Sequence, residues 1–356
     1  MDRPSDQRTL RIAVLHGDGI GIEVIDAALE VLTAVQSQFQ SVRLDLQPCI
    51  AGAAEFRRTG HDLPEATLAT CRAADAILLG AMGLPDVRHP DGRECTPQIA
   101  LREILDLYAG LRPIRLLSAA DCPLKKYDAG QIDFVIIREN TEGLFWSRNE
   151  RLADDADEAR DTLRISRIGS ERLFRTAFKL ARTRRRHVTL VDKANVLPSM
   201  VFFRKIFDEV AAEFPDVETQ RVYVDAAALF LVQRPERFDV IVTENMFGDI
   251  LSDLGAALIG GMGMAPSADI GDRHAVFQPS HGTAPDIAGQ GIANPVATIL
   301  SAAMMLDWFE IDETRIAARR IRDAVAAALA DPSRRTPDLG GRSTTRDVTR
   351  AILEQL

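Results

Sequence analysis

The 356-residue chain is short of cysteine, aromatic residues and long apolar runs. Its four cysteines, Cys49, Cys71, Cys95 and Cys122, stand far apart, with no C-x-x-C pair and no histidine spaced for zinc. That excludes a disulfide-stapled module or a zinc finger and fits scattered reduced thiols. No apolar stretch approaches the ~20 residues of a membrane span. The opening MDRPSDQRTL lacks the apolar core of a signal peptide, so a soluble, cytoplasmic protein is expected. An excess of cations is missing too. With 43 Lys+Arg against 52 Asp+Glu the net charge is −9, which repels phosphate backbones and argues against nucleic acid as a partner. The one basic run, Thr183-Arg-Arg-Arg-His187, reads as the solvated C-terminal turn of a helix, where the dipole favours cations. Internal repeats and low-complexity linkers are also absent.

What is present is an ordinary globular composition, 46% hydrophobic and 27% charged, on a chain long enough for about two domains. Apolar, β-branched runs alternate with helical patterns, which predicts an α/β protein with substantial parallel sheet. The strand candidates are RIAVLHG, VRLDLQ, AILLGA, FVIIRE, HVTLVDK, QRVYVDA and DVIVTEN. Helices are expected over Pro64 to Ala73, Pro97 to Tyr108, Ser170 to Thr183, Pro198 to Phe214, Asp249 to Ile259, Pro295 to Leu306 and Thr314 to Ala330. The acidic stretch RLADDADEARD, residues 151 to 161, followed by the alternating TLRISR, fits either a solvated loop with an edge strand or an arm that pairs with another subunit.

The stretch LRIAVLHGDGIGIEVIDAALEVL invites comparison with the dinucleotide fingerprint: a strand, G-x-G-x-x-G, then a helix. The strand, Ile12 to Leu15, and the helix, Ile22 to Leu32, are plausible, but the third glycine is missing. Its place falls to Ile22 or Val24, depending on the frame, and either branched side chain is expected to obstruct close packing of helix on strand. The loop's N–H groups remain a possible anion cradle, but the main cofactor anchor is expected elsewhere.

Four segments carry candidate chemistry. In FDVIVTENMFGDILSDLGAALIGGMG, Asp249 and Asp253 lie four residues apart on one helical face, at the start of a helix that follows a buried strand. Like charges so placed suit a hard divalent ion such as Mg²⁺ or Mn²⁺, with Asp225 at the end of QRVYVDA a candidate third ligand; solvated i, i+4 acids are the alternative. Arg102, Arg112 and Arg138 lie among apolar neighbours, and guanidinium groups there need anionic partners. One of them suits a structural ion pair, whereas three suit a substrate with two or more carboxylates. Lys193, where the strand HVTLVDK gives out, reads either as a surface lysine paired with Asp192 or as a proton carrier. Finally, FQPSHGTAPDIAGQGIANP offers Ser280, His281, Gly282 and Thr283 to an anion and Asp286 to a ribose diol, a better cofactor anchor than GDGIG.

In order, GDGIG, the LR and R-P pair around Arg102 and Arg112, RENTEG, VDKANVL, GDILSD and HGTAPDIAG-GIANP resemble the β-decarboxylating dehydrogenases. That family holds the isopropylmalate, isocitrate, homoisocitrate and tartrate/D-malate enzymes, and the likeness runs from about Ile12 to about Leu306. The resemblance implies a two-domain isopropylmalate dehydrogenase-like fold with mixed sheets, distinct from the standard Rossmann fold. Residues 1–107 with 260–356 would form a cofactor-side domain and 108–259 a substrate and dimerisation domain.

It further implies a homodimer with shared active sites, Lys193 and Asp225 entering from the neighbouring chain. Arg102, Arg112, Arg138 and Asn195 would bind the substrate, and Asp225, Asp249 and Asp253 would hold Mg²⁺ or Mn²⁺. Lys193 and Asp225 would move the proton of the C2 hydroxyl. His281, Gly282, Thr283, Ala284, Asp286, Ile287 and Asn294 would bind NAD, since an aspartate at 286 repels a 2′-phosphate. Thr96 and Gln98 fall where the C3 substituent is read, and their polarity leaves the substrate open. 3-Isopropylmalate ranks first among malates, with tartrate/D-malate or isocitrate/homoisocitrate as alternatives. One departure stands out: the family usually has a tyrosine seven residues after the arginine of R-E-x-T, as the acid that protonates C3, and this chain has Phe145. Of its three tyrosines, Tyr108, Tyr127 and Tyr223, none lies in that segment. A carboxylate- and NAD-binding protein with impaired turnover is the rival from another class.

Overall fold

The computed structural model describes residues 7–150 and 156–356. In chain order the first stretch forms β1 (Arg8–Gly17), α1 (Gly21–Gln36), β2 (Val42–Cys49), α2 (Ala53–Thr59), α3 (Glu65–Ala73), β3 (Ala76–Ala81) and α4 (Pro97–Ile104). The middle forms β4 (Ala109–Arg115), β5 (Asp133–Glu139), α5 (Arg167–Arg182), β6 (His187–Asp192), α6 (Pro198–Ala211), β7 (Glu218–Tyr223), α7 (Val224–Gln233), β8 (Val240–Thr243) and α8 (Asn245–Ala257). The last forms β9 (Pro266–Ile270), β10 (Ala275–Pro279), α9 (Val296–Trp308), α10 (Asp312–Leu329) and α11 (Thr345–Leu353). The chain divides into two compact units: Met1–Leu105 with Gly260–Ala268 and Asp272–Leu356, and Asp106–Ile259 with Asp269–Gly271.

In the first unit β1 lies between β2 and β3, parallel to both, and β10 runs parallel to β3 on its other side. The second unit is mixed. β4 pairs antiparallel with β5, from Ala109 opposite Glu139 to Arg115 opposite Asp133, and β5, β8, β6 and β7 follow in parallel. Its core is aromatic: Phe174 and Phe178 of α5 pack on Phe203 and Phe207 of α6, with ring centroids 4.6–5.5 Å apart. No helix among the described residues is long and apolar enough to cross a membrane. All four cysteines are free.

All seven expected strands form, but β4, β9 and β10 were not anticipated. β4 (AGLRPIR) carries two arginines and a proline, and β9 (PSADI) opens on proline with alternating polar residues, so neither reads as an apolar run. The helices α2, α7 and α11 were likewise missed. QRVYVDA ends as a strand at Tyr223; Asp225 instead sits in the first turn of α7, where a carboxylate suits the helix dipole. The helix expected through Tyr108 stops at Ile104, and Asp106 turns left-handed (φ 51°) with its carboxylate taken by Arg172 at 2.6 and 2.8 Å. TLRISR forms no strand; only Arg164 bridges to Gly143, and α5 starts at Arg167. Residues 156–161 are exposed, and 151–155 lie outside the described residues. The basic run after α5 is not solvated throughout: Arg184 donates to Asp239 at 2.8 Å and Asp133 at 2.6 Å, pinning the strand starts beneath it.

The GDGIG turn also differs from expectation. Ile22 is 51% exposed and obstructs nothing, and Val24, fully buried, packs with Ile20 on Ala293, Ala284, Ile287 and Ala288. Close helix-to-strand approach occurs at Gly21, where a side chain would start 2.5 Å from the His16 carbonyl and 2.6 Å from the Ala81 nitrogen. The turn's N–H groups are not an anion cradle. Asp18 N–H donates to the Ala81 carbonyl (2.7 Å), Ile20 N–H to that of Thr283 (2.9 Å) and Gly21 N–H to that of Asp18 (3.0 Å). The buried Asp18 carboxylate instead accepts the N–H groups of Ala53 (2.7 Å), Ala54 (2.8 Å) and Gly83 (2.9 Å), capping α2 and holding the end of β3. Removing that acceptor takes the partner from the buried Ala53 N–H and from the part-buried N–H groups of Ala54 and Gly83, so Asp18→Ala is expected to lower the unfolding free energy by about 1–3 kcal/mol in urea titrations. A loss below about 0.5 kcal/mol, the range of ordinary surface changes, would contradict the strut.

Candidate functional site

β5 is buried from Phe134 onward, and Arg138, its next-to-last residue, is 3% exposed. A charge buried there needs several acceptors. Its Nε and Nη2 donate to Oδ1 of Asn245 at 3.0 and 2.7 Å, and its Nη1 donates to Asp249. Asn245 is oriented by its own Nδ2, which donates to the Glu142 carbonyl at 2.9 Å. α8 approaches this closely because residue 248 is glycine: a side chain would start 2.7 Å from Cβ and Cγ of Arg138. Glu244 starts the helix by accepting the N–H groups of Met246 (3.1 Å) and Phe247 (2.6 Å). α8 therefore begins at Asn245, and Asp249 and Asp253 sit past its first turn rather than opening it as expected. Phe145, in a short 3₁₀ turn over Leu144–Ser147, lays its ring 5.3 Å from the Arg138 guanidinium.

Arg112 on β4 stands opposite Ile136 of β5, and both its terminal nitrogens donate to Oδ1 of Asp269 at 3.2 Å. Asn140 Nδ2 donates to the same oxygen at 2.8 Å. The Asp253 carboxyl is held above its ordinary range, first by burial and then by the neighbouring Asp249, against the pull of Arg138 and Arg112. Asp249, by contrast, is 46% exposed on its side chain. A carboxylate pair that strains its own charge and has two guanidinium groups behind it is suited to receive a cation and an anionic ligand together.

Lys193 does not pair with Asp192. Asp192 is fully buried and takes Nε and Nη2 of Arg204 at 2.7 Å each, while Lys193 Nζ donates to Oδ1 of Asp225 at 2.5 Å. That hydrogen bond holds the Asp225 carboxyl below its ordinary range. Asn195 is exposed in the turn between β6 and α6. Among the described residues, the one group of three metal-ligating side chains within 4.8 Å of one another is Asp62, His89 and Cys95, so Asp225, Asp249 and Asp253 do not converge within a chain. In the first unit, Thr96 precedes α4 without a side-chain cap, Gln98 Oε1 is buried without a partner, and Arg102 is buried in the helix's last turn.

The His281–Asn294 loop is built on the GDGIG turn. His281 Nδ1 contacts the Gly282 carbonyl at 2.9 Å and its Nε2 is buried without a partner; burial holds the ring's pKa low. Thr283 is buried, Ala284 adopts φ 37°, Ile287 packs on Ile20 and Val24, and Asp286 is exposed. Asn294 is buried, with Nδ2 donating to Asp338 at 3.0 Å and Oδ1 accepting Val296 N–H at 3.1 Å. Sequence reasoning missed Asn245 and Asp269. Asn245 follows a visible acid cap, but Asp269 lies 157 residues from Arg112 on an unrecognised strand and left no local signal.

The second unit thus holds buried guanidinium groups opposed by carboxylates, and the first a loop with an unpartnered histidine nitrogen. Comparison makes the class specific. A family model described as isocitrate/isopropylmalate dehydrogenase matches residues 11–352. A 3-isopropylmalate dehydrogenase of Aquifex aeolicus is 42% identical, covering 97% of each chain, and one of Moorella thermoacetica is 46% identical over 92% of this chain and 93% of its own. A crystal structure titled isocitrate dehydrogenase from Methylococcus capsulatus superposes with a TM-score of 0.87 at 39% identity, covering 97% of this chain and 99% of that one. The chain belongs to the isocitrate/isopropylmalate dehydrogenase family and is an oxidoreductase, as its motifs led one to expect.

Beside Arg138, burial pushes the Glu139 carboxyl up to about 7, against donors from Thr141 and Glu142. A carboxyl raised in the folded state contributes most below its unfolded value near 4.5 and loses that contribution as pH rises through about 7. Unfolding free energy should therefore fall by up to about 3 kcal/mol across that window from this group. Glu139→Gln is expected to flatten the slope of urea stability against pH between those values, and an unchanged slope would refute the assignment.

Proposed function

We propose that the chain oxidises and decarboxylates 3-isopropylmalate with NAD and Mg²⁺ or Mn²⁺, acting as a homodimer. The observation that carries the substrate is full-length identity of 42–46% to relatives named 3-isopropylmalate dehydrogenase. Asp249 and Asp253 fit a hard divalent cation, since both offer oxygen and Asp249 adds to the cost of charging Asp253. With Asp225 of a second copy they would hold the ion, which when bound supplies Lewis acidity toward the C2 oxygen and C1 carboxylate. The buried, unpartnered His281 Nε2 and the open space beside Gly282, where an added Cβ would meet nothing within 4 Å beyond its chain neighbours, fit the adenosine part of NAD, the hydride acceptor. Thr283, Ala284, Ile287 and Asn294 would line it, and Asp286 would accept from a 2′-hydroxyl and repel a 2′-phosphate.

Arg102, Arg112, Arg138 and Asn195 are the substrate-binding residues of this reading, the guanidinium groups being suited to carboxylates. Lys193 and Asp225 take the C2 hydroxyl proton as a pair. Asp225, kept ionised by the lysine, is the acceptor, and Lys193 carries the proton onward. That this pair belongs to a neighbouring subunit's site is supported by its separation from Asp249 and Asp253 within the chain. The exposed apolar side chains Leu229 (52%) and Val232 (45%) of α7 and Ile250 (60%) of α8 support the subunit contact.

A tricarboxylate substrate is the second reading. The unpartnered Gln98 Oε1 and the Thr96 hydroxyl, which caps no helix, favour a polar C3 substituent, and an isocitrate dehydrogenase is among the related structures. A panel of 3-isopropylmalate, isocitrate, homoisocitrate, D-malate and tartrate, scored for NADH and CO₂ together, decides it. We expect kcat/KM for 3-isopropylmalate to exceed the others by about tenfold or more. A tricarboxylate preference would overturn the substrate, and no NADH with any of them would overturn the reaction.

Phe145 bears on the last step. The enolate left by CO₂ loss needs a proton at C3, and a phenyl ring has none to give. Tyr127 cannot replace it, its hydroxyl bound 2.5 Å from Glu236 and pushed up to about 12. Water or Lys193 then delivers the proton. Phe145→Tyr places a hydroxyl beside Arg138 and should speed CO₂ release by about tenfold or more in single turnover. No gain, with a stable oxoacid accumulating in the parent enzyme, would mean that oxidation alone is native.

A further inference from the structure

We propose that Asp62, His89 and Cys95 form a binding site for a thiophilic divalent cation, with Zn²⁺ the best fit. None of the three enters the reaction proposed above. Spacing along the chain hides the set, because Asp62 lies in the loop between α2 and α3, while His89 and Cys95 flank a tight turn. In that turn Arg88 bridges to Glu94, His89 N–H donates to the Arg93 carbonyl at 2.8 Å, and Gly92 N–H donates to that of His89 at 2.9 Å. It returns the chain so that the thiol, one imidazole nitrogen and one carboxylate oxygen all lie within 4.8 Å of one another.

The geometry suits a tetrahedral ion. Bonds of ~2.0–2.3 Å to oxygen, nitrogen and sulfur place ligand atoms about 3.4–3.6 Å apart. Asp62 Oδ2 and His89 Nε2 are 3.3 Å apart, already one edge of such a polyhedron. The imidazole is held by the edge of the Phe56 ring, with centroids 4.5 Å apart, and the backbone at Asp62 by Gly52 N–H at 2.8 Å. Cys95 is fully buried, whereas the side chains of Asp62 and His89 are 23% and 26% exposed. The site is thus closed on the sulfur side and open to an entering ion and a water as fourth ligand.

Charge points the same way. Thiolate, carboxylate and neutral imidazole balance a 2+ charge, so the loaded site is neutral. Asp18 stays outside it, committed to three backbone donors. The class of metal follows from the sulfur and nitrogen donors, which magnesium does not favour. When filled, the site ties the α2–α3 loop to the residue preceding Thr96, at the head of α4.

The test is anaerobic Co²⁺ titration of the reduced, chelator-treated full chain in excess Mg²⁺, which occupies oxygen-only sites. A near-ultraviolet thiolate-to-cobalt charge-transfer band should saturate at about one equivalent per chain and be displaced by Zn²⁺. Cys95→Ser should abolish it. His89→Gln, a change at a part-exposed position that leaves the fold intact, should weaken cobalt affinity by about tenfold or more. Asp249→Asn should leave the band in place. Absence of the band, its survival in Cys95→Ser, unchanged affinity in His89→Gln or its loss in Asp249→Asn would each overturn the proposal.

Discussion

Arg138 carries a full positive charge at 3% exposure, and the second unit is arranged around neutralising it. The end of β5 sets its position; Asn245, Asp249 and the absence of a side chain at Gly248 set that of α8 against it. Without those contacts a buried guanidinium would cost several kcal/mol. With them, α8 carries Asp249 and Asp253 past its capped first turn, and Glu244 fixes where that turn starts. The Phe145 ring covers another side of the same guanidinium, so the cation is directed toward acceptors on α8. Placement of the acidic pair is thus one result of that buried charge.

The first unit has a comparable anchor of opposite sign. Asp18 draws α2, Gly83 just beyond β3 and the GDGIG turn onto one carboxylate, and Ile20 N–H passes the constraint to Thr283. The His281–Asn294 loop gains further support from Thr345, which donates its N–H to Gly291 and its hydroxyl to Ala293. A loop that leaves His281 Nε2 unpartnered is thus held by two elements far apart in sequence.

Much of this was legible beforehand. Uninterrupted β-branched runs such as AILLGA and FVIIRE mark buried parallel strands, and the i, i+4 acids of GDILSD, the lysine of VDKANVL and the HGTAPD loop stand out by composition alone. What escaped depended on partners distant in the chain. β4 and β9 hide because the Arg112–Asp269 pair puts charge where periodicity expects apolar residues. α7 hid because Val222 and Val224 continue a strand-like run across a helix start. The missing third glycine misled in the opposite direction: Gly21 does the close packing that the motif assigns to a later position, while Ile22 faces solvent.

The order of the units along the chain has a consequence for synthesis. β3 is complete by Ala81, but its parallel neighbour β10 begins only at Ala275, after the whole of Asp106–Ile259 has been made. The inserted unit therefore has β4, β5, β6, β7 and β8 in hand while the first unit still presents an open β3 edge, apolar along its whole length. Until β10 arrives, that edge is the part of the nascent chain most prone to pair with another molecule, so folding yield should depend on what shields AILLGA during translation rather than on the finished enzyme's stability.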